Sequence, residues 1–322
     1  MKQWEPSSGD VTFMRLALRL ARYGYGETSP NPMVGAVLVR NGKVIGQGWH
    51  RRAGEPHAEV EAIRDAQKRG FKASGATLYV TLEPCSTHGR TPPCTEAIMA
   101  CGIRRLVVAA TDPNPKHAGR GFRLLRAAGV EVQAGLLRDE ATRLNEAFNH
   151  WIVQGKPFVT VKAAMSLDGK IATVSGESKW ITSEQARAHA MRLRQGADAV
   201  LVGVNTILAD NPTLTFRPAS TRRRGTKAER LRRIVLDSEA RTPRNAKVVA
   251  DGLASLTTVV VTETAPKRRV QALAKTVTVW TAPLRDSKLD LVWLLQRLGT
   301  ENVTSLLVEG GGEVNASFLM QR

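Results

Sequence analysis

The sequence predicts an α/β protein made of two domains. Its 322 residues are more than one ordinary core needs, because domains average roughly 150 residues. Short β-rich runs alternate with amphipathic stretches, which is the pattern of α/β domains. Gly155-Lys156-Pro157 interrupts a helical stretch that ends at Gln154. We therefore expect one domain over residues 1–154 and a second over residues 155–322.

The first half predicts a mixed three-layer α/β domain. Residues 13–23 carry apolar side chains at the spacing of an amphipathic helix. A strand over 34–39 follows, and Asn41-Gly42 is a hairpin turn before a returning strand over 43–49. Further strands are expected over 77–82, 105–110 and 130–134, and further helices over 57–68, 94–100, 121–128 and 144–154.

The second half also predicts an α/β domain, without repeating the sequence of the first. Its short β-rich runs are separated by stretches long enough for helices. Strands are expected over 158–163, 199–204, 233–237, 257–262, 277–281 and 305–309.

The net charge of +18 would attract nucleic acid, acidic membranes or phosphorylated metabolites alike. Basic residues concentrate only in 217–233, where no aromatic side chain is available for base stacking. We interpret this segment as an exposed loop, with a nucleic-acid contact as the alternative. The amino terminus lacks the features of a secretory signal, and no apolar run approaches the ~18 residues of a membrane span. We expect a cytoplasmic protein without membrane partners.

Three residues form a candidate zinc site: His57, Cys85 and Cys94. One imidazole and two thiolates suit zinc, and three protein ligands leave a fourth position open for water, as in catalytic sites. A closed structural site, with His88 as fourth ligand, and unrelated buried side chains are the alternatives. Cys101 is interpreted as a small buried hydrophobe.

Glu59 supplies the remaining group for hydrolytic deamination. Zinc lowers the pKa of bound water to roughly 7, and a carboxylate two residues beyond the histidine can carry the water proton to the leaving ammonia. Histidine-any-glutamate followed by proline-cysteine is the signature of zinc nucleobase deaminases. The catalytic interpretation thus requires Glu59.

The loop of eight residues between Cys85 and Cys94, with Pro-Asn-Pro-Met-Val-Gly-Ala-Val at 30–37 and Asp-Pro-Asn-Pro at 112–115, resembles the bifunctional riboflavin-biosynthesis deaminase and reductase family. The resemblance covers essentially the whole chain. It implies a cytidine-deaminase-like α/β/α domain that deaminates 2,5-diamino-6-(5-phosphoribosylamino)pyrimidin-4-one. By the same resemblance Asn31 contacts the pyrimidine, and His88 and Arg90 hold the ribose phosphate. Thr87 replaces the family's usual histidine and cannot carry its charge.

The second half resembles the family's dihydrofolate-reductase-like domain through motifs at 162–170, 176–182, 203–206, 210–214 and 309–312. This resemblance implies reduction of the ribose to a ribityl chain by NADPH. The implied cofactor-binding residues are Ala164, Trp180, Thr206, Asp210, Ser238, Gly311, Gly312, Glu313, Val314 and Asn315. The implied substrate-binding residues are Ser178, Arg194, Leu214, Arg217 and Glu309.

Three alternatives to a fully bifunctional enzyme remain at this point. The family continues into further strands beyond Arg322, so a reductase half impaired by an open sheet edge is one expectation. An RNA base deaminase is the second. A non-catalytic, zinc-stabilised nucleic-acid-binding protein is the third. We expect a small phosphoribosyl pyrimidine as the ligand, one zinc ion per chain, and a homo-oligomer.

Overall fold

The computed structural model describes residues 4–89, 91–178, 180–216 and 230–320. The chain divides into two units, Met1–Gln154 and Gly155–Arg322. Arg90, Arg217 and most of the basic segment 217–233 lie outside the described residues. None of the described helices is both long and apolar enough to cross a membrane.

A five-stranded mixed sheet forms the centre of the first unit, in the order β2-β1-β3-β4-β5. Strand β1 runs antiparallel to both of its neighbours, whereas β3, β4 and β5 are parallel. The strands are β1 Gly35–Arg40, β2 Lys43–Trp49, β3 Thr77–Leu82, β4 Arg105–Ala110 and β5 Glu131–Ala134. The helices are α1 Ser8–Ala21, α2 Ala58–Lys68, α3 Cys94–Ala100, α4 Arg120–Ala127, α5 Arg138–Leu144 and α6 Glu146–Gln154.

Helices cover both faces of this sheet, so the predicted three-layer α/β/α architecture is confirmed. On one face Ala62 of α2, Ile98 of α3 and Leu125 of α4 pack into one apolar core. On the other face Met14 of α1 and Ala141 of α5 belong to a second core. Burial of apolar side chains on both faces is the main source of stability for such a domain.

Two helical predictions for this unit were inaccurate at their boundaries. The first helix begins at Ser8 rather than near residue 13, because Ser7 and Asp10 form a capping box. The helix predicted over 144–154 is two helices, which meet at Asn145. The side chain of Asn145 is buried and bonded elsewhere, as described below.

Helix α2 packs directly on the backbone of β2. A Cβ atom at Gly46 would collide with the carbonyl oxygen of Ala62, and one at Gly48 would lie 2.5 Å from the Ala62 nitrogen. Only glycine permits this approach. The contact fixes the height of α2 above the sheet, and with it the first turn of the helix.

Asp10 is a buried carboxylate at the start of α1 that bonds to three side chains. Its oxygens accept hydrogen bonds from the Tyr79 hydroxyl at 2.7 Å, the Arg105 guanidinium at 2.9 Å and the Ser7 hydroxyl at 2.7 Å. Burial by itself raises the pKa of Asp10, but these hydrogen bonds outweigh it and lower the pKa to about 2.

Asp10→Asn is expected to destabilise the protein by about 1–2 kcal/mol at pH 7, since one pKa unit corresponds to about 1.4 kcal/mol. The pKa of Asp10 is lower in the folded state, so its contribution is complete above pH 4. It disappears as the pH falls from about 4 to 2. Guanidinium unfolding of both proteins across this range should show the difference shrinking to zero. Glu5→Gln, at a neighbouring exposed position, is the control.

A six-stranded parallel sheet forms the centre of the second unit, in the order β10-β9-β8-β7-β13-β6. Its strands are β6 Phe158–Val161, β7 Ala199–Gly203, β8 Arg232–Leu236, β9 Thr257–Thr262, β10 Thr278–Ala282 and β13 Ser305–Val308. These confirm the six predicted strands. The short strands β11 Leu284–Arg285 and β12 Lys288–Leu289 form a separate hairpin. The helices are α7 Glu184–Gly196, α8 Val204–Asp210, α9 Lys247–Ala250, α10 Lys267–Leu273, α11 Leu291–Thr300 and α12 Gly312–Met320.

Candidate active sites

Three predicted metal ligands converge in the first unit. His57 is the N-cap of α2, Cys85 follows the end of β3, and Cys94 is the first residue of α3. The Nδ1 atom of His57 lies 3.2 Å from the Cys94 Sγ and 3.5 Å from the Cys85 Sγ. All three atoms lie within 4.8 Å of one another, which is close enough for one metal ion to bind them all.

The hydrogen bonds among these groups already favour a thiolate at Cys85. A hydrogen bond from the Cys94 thiol, helped by one from His57 and opposed by burial, lowers the pKa of Cys85 to about 4. The Cys94 thiol donates a hydrogen bond to Cys85 and is itself buried, and both effects raise the pKa of Cys94. The Cys94 backbone nitrogen also donates to the Cys85 sulfur at 3.2 Å. The site therefore stabilises negative charge on sulfur before any cation is added.

The residues present fit a zinc ion. One imidazole nitrogen and two sulfurs are the donor set that zinc prefers, and three ligands leave one position open. The Glu59 Oε2 atom is buried with no hydrogen-bond partner among the described residues. A buried carboxylate oxygen without a partner is costly unless a further group completes the site.

Glu59 lies in the first turn of α2 and is only 3% exposed. Burial, with a smaller effect from the nearby Cys85, raises the pKa of Glu59 to about 7. A carboxyl group that titrates near neutral pH can both accept and return a proton.

Two adjoining cavities in the second unit contain most of the residues predicted for the reductase. A cavity of about 360 Å³ is lined by Thr206, Ser238 and residues 311–314. A second, of about 450 Å³, is lined by Ala164, Trp180, Thr206 and Asp210, and also by four predicted substrate residues, Ser178, Arg194, Leu214 and Glu309. Thr206 lines both cavities, so they lie next to each other at this residue. We call the first the glycine cavity and the second the substrate cavity.

The glycine cavity suits a dinucleotide. It lies beyond the carboxyl ends of β7, β8 and β13, where ligands of parallel sheets bind. A Cβ at Gly311 would have no atom within 4 Å, so the backbone there borders open space that a ligand can approach closely. Asn315 lines neither cavity.

Arg194 and Glu309 were predicted as separate substrate contacts, and they form an ion pair with each other. The Arg194 Nε and Nη2 atoms donate to the two Glu309 oxygens at 2.6 and 2.9 Å. Arg194 Nη1 donates to the Thr215 carbonyl at 3.0 Å. Both side chains are about 10% exposed, at 11% and 10%. The pair therefore fixes the loop after Leu214 along one wall of the substrate cavity.

Comparison with known proteins gives matches to both units. Residues 7–110 match the family model described as cytidine and deoxycytidylate deaminase zinc-binding region, and residues 157–322 match the RibD C-terminal domain. The riboflavin biosynthesis protein RibD of Aquifex aeolicus is 46% identical over 97% of this chain and 83% of its own length. The RibD protein of Escherichia coli K12 is 43% identical over 96% of this chain and 84% of its own length.

Solved structures agree with these matches over nearly the whole chain. RibD of Acinetobacter baumannii superposes with a TM-score of 0.85 at 37% identity, covering 97% of this chain and 83% of that one. A diaminohydroxyphosphoribosylaminopyrimidine deaminase/5-amino-6-(5-phosphoribosylamino)uracil reductase from Thermotoga maritima superposes with a TM-score of 0.82 at 38% identity, with the same coverage.

The chain belongs to the RibD family. It is a riboflavin-biosynthesis enzyme with a zinc-dependent deaminase and an NADPH-dependent reductase, as the sequence motifs predicted. These matches, which cover nearly the whole of this chain, give no support to the RNA deaminase or to the non-catalytic nucleic-acid-binding protein.

His50 is a residue of this RibD family member that the sequence interpretation missed. It is buried at the end of β2, and its Nε2 atom accepts a hydrogen bond from the Asn31 side chain at 3.0 Å. Its Nδ1 atom donates to the carbonyl of Pro56 at 3.2 Å, next to His57. Burial lowers the pKa of His50, which agrees with a neutral ring in this arrangement. No motif indicated His50, because its partners are defined only by the fold.

Glu83, two residues before Cys85, is hydrogen-bonded to the segment that begins with Asp-Pro-Asn-Pro at 112–115. Its carboxylate accepts hydrogen bonds from the backbone nitrogens of Asp112, Gly119 and Gly121 at 3.2, 2.9 and 2.9 Å. A Cβ at Gly121 would collide with the carbonyl oxygen of Pro84. The segment from 112 to 121 is thereby held against the residues that precede Cys85.

His88 does not join the zinc ligands. Its side chain is 73% exposed, and its Nε2 atom lies 4.0 Å from a Glu96 oxygen. The alternative of a closed site with His88 as fourth ligand therefore finds no support among the described residues, where only His57, Cys85 and Cys94 come together. An exposed position in the loop between the cysteines leaves His88 accessible to a ligand.

Asn145 holds the loop that carries Asn31. Its side-chain oxygen accepts from the Met33 nitrogen at 2.8 Å, and its side-chain nitrogen donates to the Met33 carbonyl at 2.9 Å. Asn145 is 5% exposed, so these bonds are shielded from water.

Asn145→Ala is expected to raise the KM for the deaminase substrate by about tenfold, because each lost hydrogen bond to a buried group costs about 1 kcal/mol and the Asn31 loop is released. Zinc content should stay at the wild-type value. Steady-state ammonia release and metal analysis measure the two quantities. Asn149→Ala, one helical turn away on α6, is the matched control. A fall in kcat with unchanged KM would contradict this role.

Proposed function

We propose that residues 1–154 deaminate 2,5-diamino-6-(5-phosphoribosylamino)pyrimidin-4-one and that residues 155–322 reduce the product with NADPH. The deaminase assignment rests on the convergence of His57, Cys85 and Cys94 beside the buried Glu59. Support for the second half comes from the two adjoining cavities, which contain most of the predicted residues.

The deaminase reaction exchanges an amino group for oxygen, with water consumed and ammonia released. Zinc held by His57, Cys85 and Cys94 would supply the Lewis acid that makes water nucleophilic at neutral pH. Glu59 accepts the proton that this water gives up and delivers it to the amino nitrogen as the carbon–nitrogen bond breaks. Asn31, oriented by His50, contacts the pyrimidine ring. His88 and Arg90 hold the ribose phosphate; Arg90 lies outside the described residues.

The reductase residues bind and orient two ligands. NADPH would supply the hydride that converts the ribosyl group to a ribityl chain. Gly311 and Gly312 in the glycine cavity would hold its phosphates through their backbone nitrogens, and Ala164 and Trp180 in the substrate cavity would hold its nicotinamide. The other residues proposed for the cofactor are Thr206, Asp210, Ser238, Glu313 and Val314, which line these cavities, and Asn315, which lines neither. The substrate contacts are Ser178, Arg194, Leu214, Glu309 and Arg217, the last outside the described residues.

One incubation tests both halves. The zinc-loaded protein is mixed with the diaminopyrimidine ribosyl phosphate and NADPH, and ammonia and NADPH absorbance are followed together. We expect one ammonia released for each NADPH oxidised. Ammonia without NADPH oxidation would overturn the reductase assignment, and absence of ammonia would overturn the deaminase assignment.

We further propose that the protein is a cytoplasmic homo-oligomer. Exposed apolar side chains are concentrated in one short segment of the second unit, where Leu167 and Val174 are fully exposed and Met165, Ile171 and Trp180 are also exposed. Such a concentration is typical of association surfaces. Light scattering after size exclusion should give a multiple of the 35.1 kDa chain mass. Cell fractionation tests the location.

A further inference from the structure

The turn after β8 presents side chains to the glycine cavity in a fixed arrangement. Asp237 is completely buried and accepts hydrogen bonds from the backbone nitrogens of Arg241 and Thr242 at 2.9 and 2.6 Å. The Thr242 hydroxyl adds a third bond at 2.7 Å. Ser238, Glu239 and Arg241 all line the cavity from this turn. These three hydrogen bonds fix the backbone of the turn, so its side chains that line the cavity are held in place.

The charges around the glycine cavity are unevenly distributed. Among its described lining residues, Arg241 carries the positive charge and two side chains are carboxylates, Glu239 and Glu313. The Arg241 Nη2 atom donates to the Asn205 side-chain oxygen at 3.1 Å, and the Asn205 nitrogen donates to Glu313 at 3.3 Å. The bond to Asn205 orients the Arg241 guanidinium and uses one of its five N–H donors.

The cavity corresponds to the adenosine end of the cofactor, an assignment that rests on the proposed function. The predicted substrate residues line the substrate cavity, so the nicotinamide has to reach that cavity, and Thr206 is the one lining residue that the two cavities share. NADPH and NADH differ solely by a phosphate on the adenosine 2′-oxygen. Glu239 and Glu313 repel that phosphate, whereas a guanidinium binds phosphate through paired hydrogen bonds.

We propose that Arg241 binds the 2′-phosphate of NADPH and is the residue that makes this enzyme prefer NADPH to NADH. Glu239 opposes this preference, because a carboxylate near the adenosine ribose favours a free 2′-hydroxyl. Asn205 positions the Arg241 guanidinium.

The test measures equilibrium binding of two adenosine fragments by calorimetry, with the zinc-loaded full chain. Adenosine 2′,5′-bisphosphate carries the 2′-phosphate, and adenosine 5′-monophosphate lacks it. Arg241→Ala is expected to weaken binding of the bisphosphate by about 10- to 100-fold, as for loss of a hydrogen-bonded charge, and to leave the monophosphate within about twofold. Arg241→Lys should recover part of the loss. Glu239→Gln should strengthen bisphosphate binding.

Arg244→Ala is the matched control, because Arg244 is exposed on the same segment and does not line the cavity. Circular dichroism verifies that each variant is folded. In the reductase assay the ratio of kcat/KM for NADPH to that for NADH should fall by the same factor in Arg241→Ala. Equal weakening of both fragments, or no weakening of either, would overturn the role of Arg241. If the wild type oxidises neither NADPH nor NADH, the proposed reductase function fails instead.

Discussion

Glu59→Gln is expected to slow ammonia release by about 10²–10⁴-fold while the protein keeps its zinc, because general acid–base catalysis contributes about this factor. The amide has the shape of the carboxyl group and cannot accept the water proton. Glu59 is almost completely buried, so the amide is held in the same place as the carboxyl group. Metal analysis and ammonia release together measure the effect.

The matched control is Glu61→Gln, on the same helix but paired with Arg51 and Arg64. It should deaminate at a rate close to that of the wild type. Reduction of already deaminated substrate should be unchanged in both variants, since that reaction belongs to the second unit. Normal ammonia release from a zinc-loaded Glu59→Gln protein would refute the catalytic role.

Glu309→Ala is expected to destabilise the second unit by about 3–5 kcal/mol, because it leaves the Arg194 charge buried and without its carboxylate. The loss should appear as a lower unfolding temperature for that unit in calorimetry. Deamination at moderate temperature serves as the internal control and should persist.

The double variant Arg194→Met, Glu309→Leu separates stability from function. Replacing both charges with apolar groups of similar volume restores most of the lost stability in comparable buried pairs. If the pair also contacts the substrate, the double variant regains its unfolding temperature and still fails to oxidise NADPH. Recovery of both properties would show that the pair is purely structural.

Short-range patterns predicted the zinc ligands and the order of the elements. His57 and Glu59 are two residues apart, and each ligand lies beside a proline at the end of a regular element, so local sequence contains the information. The fold class follows in the same way from alternating strands and helices.

Contacts between distant residues could not be predicted in this way. His50 and Asn31 are 19 positions apart, Asn145 and Met33 are 112 apart, and Arg194 and Glu309 are 115 apart. No period or motif links such positions, because each hydrogen bond forms only after the strands and helices have packed. Arg194 and Glu309 were each identified from the family resemblance, but their pairing emerged only from the fold.

At Gly46 and Gly48 the backbone of β2 touches the backbone of helix α2 with no side chain between them. This contact limits which substitutions the deaminase can accept. Layers that touch through side chains can slide by rotamer adjustment, whereas two backbones in direct contact cannot. The helix that bears His57 and Glu59 is thus a fixed reference for the reacting atoms. Laboratory evolution toward other aminopyrimidines should therefore accumulate substitutions in the loops at 86–93 and 113–118, and leave these two glycines unaltered.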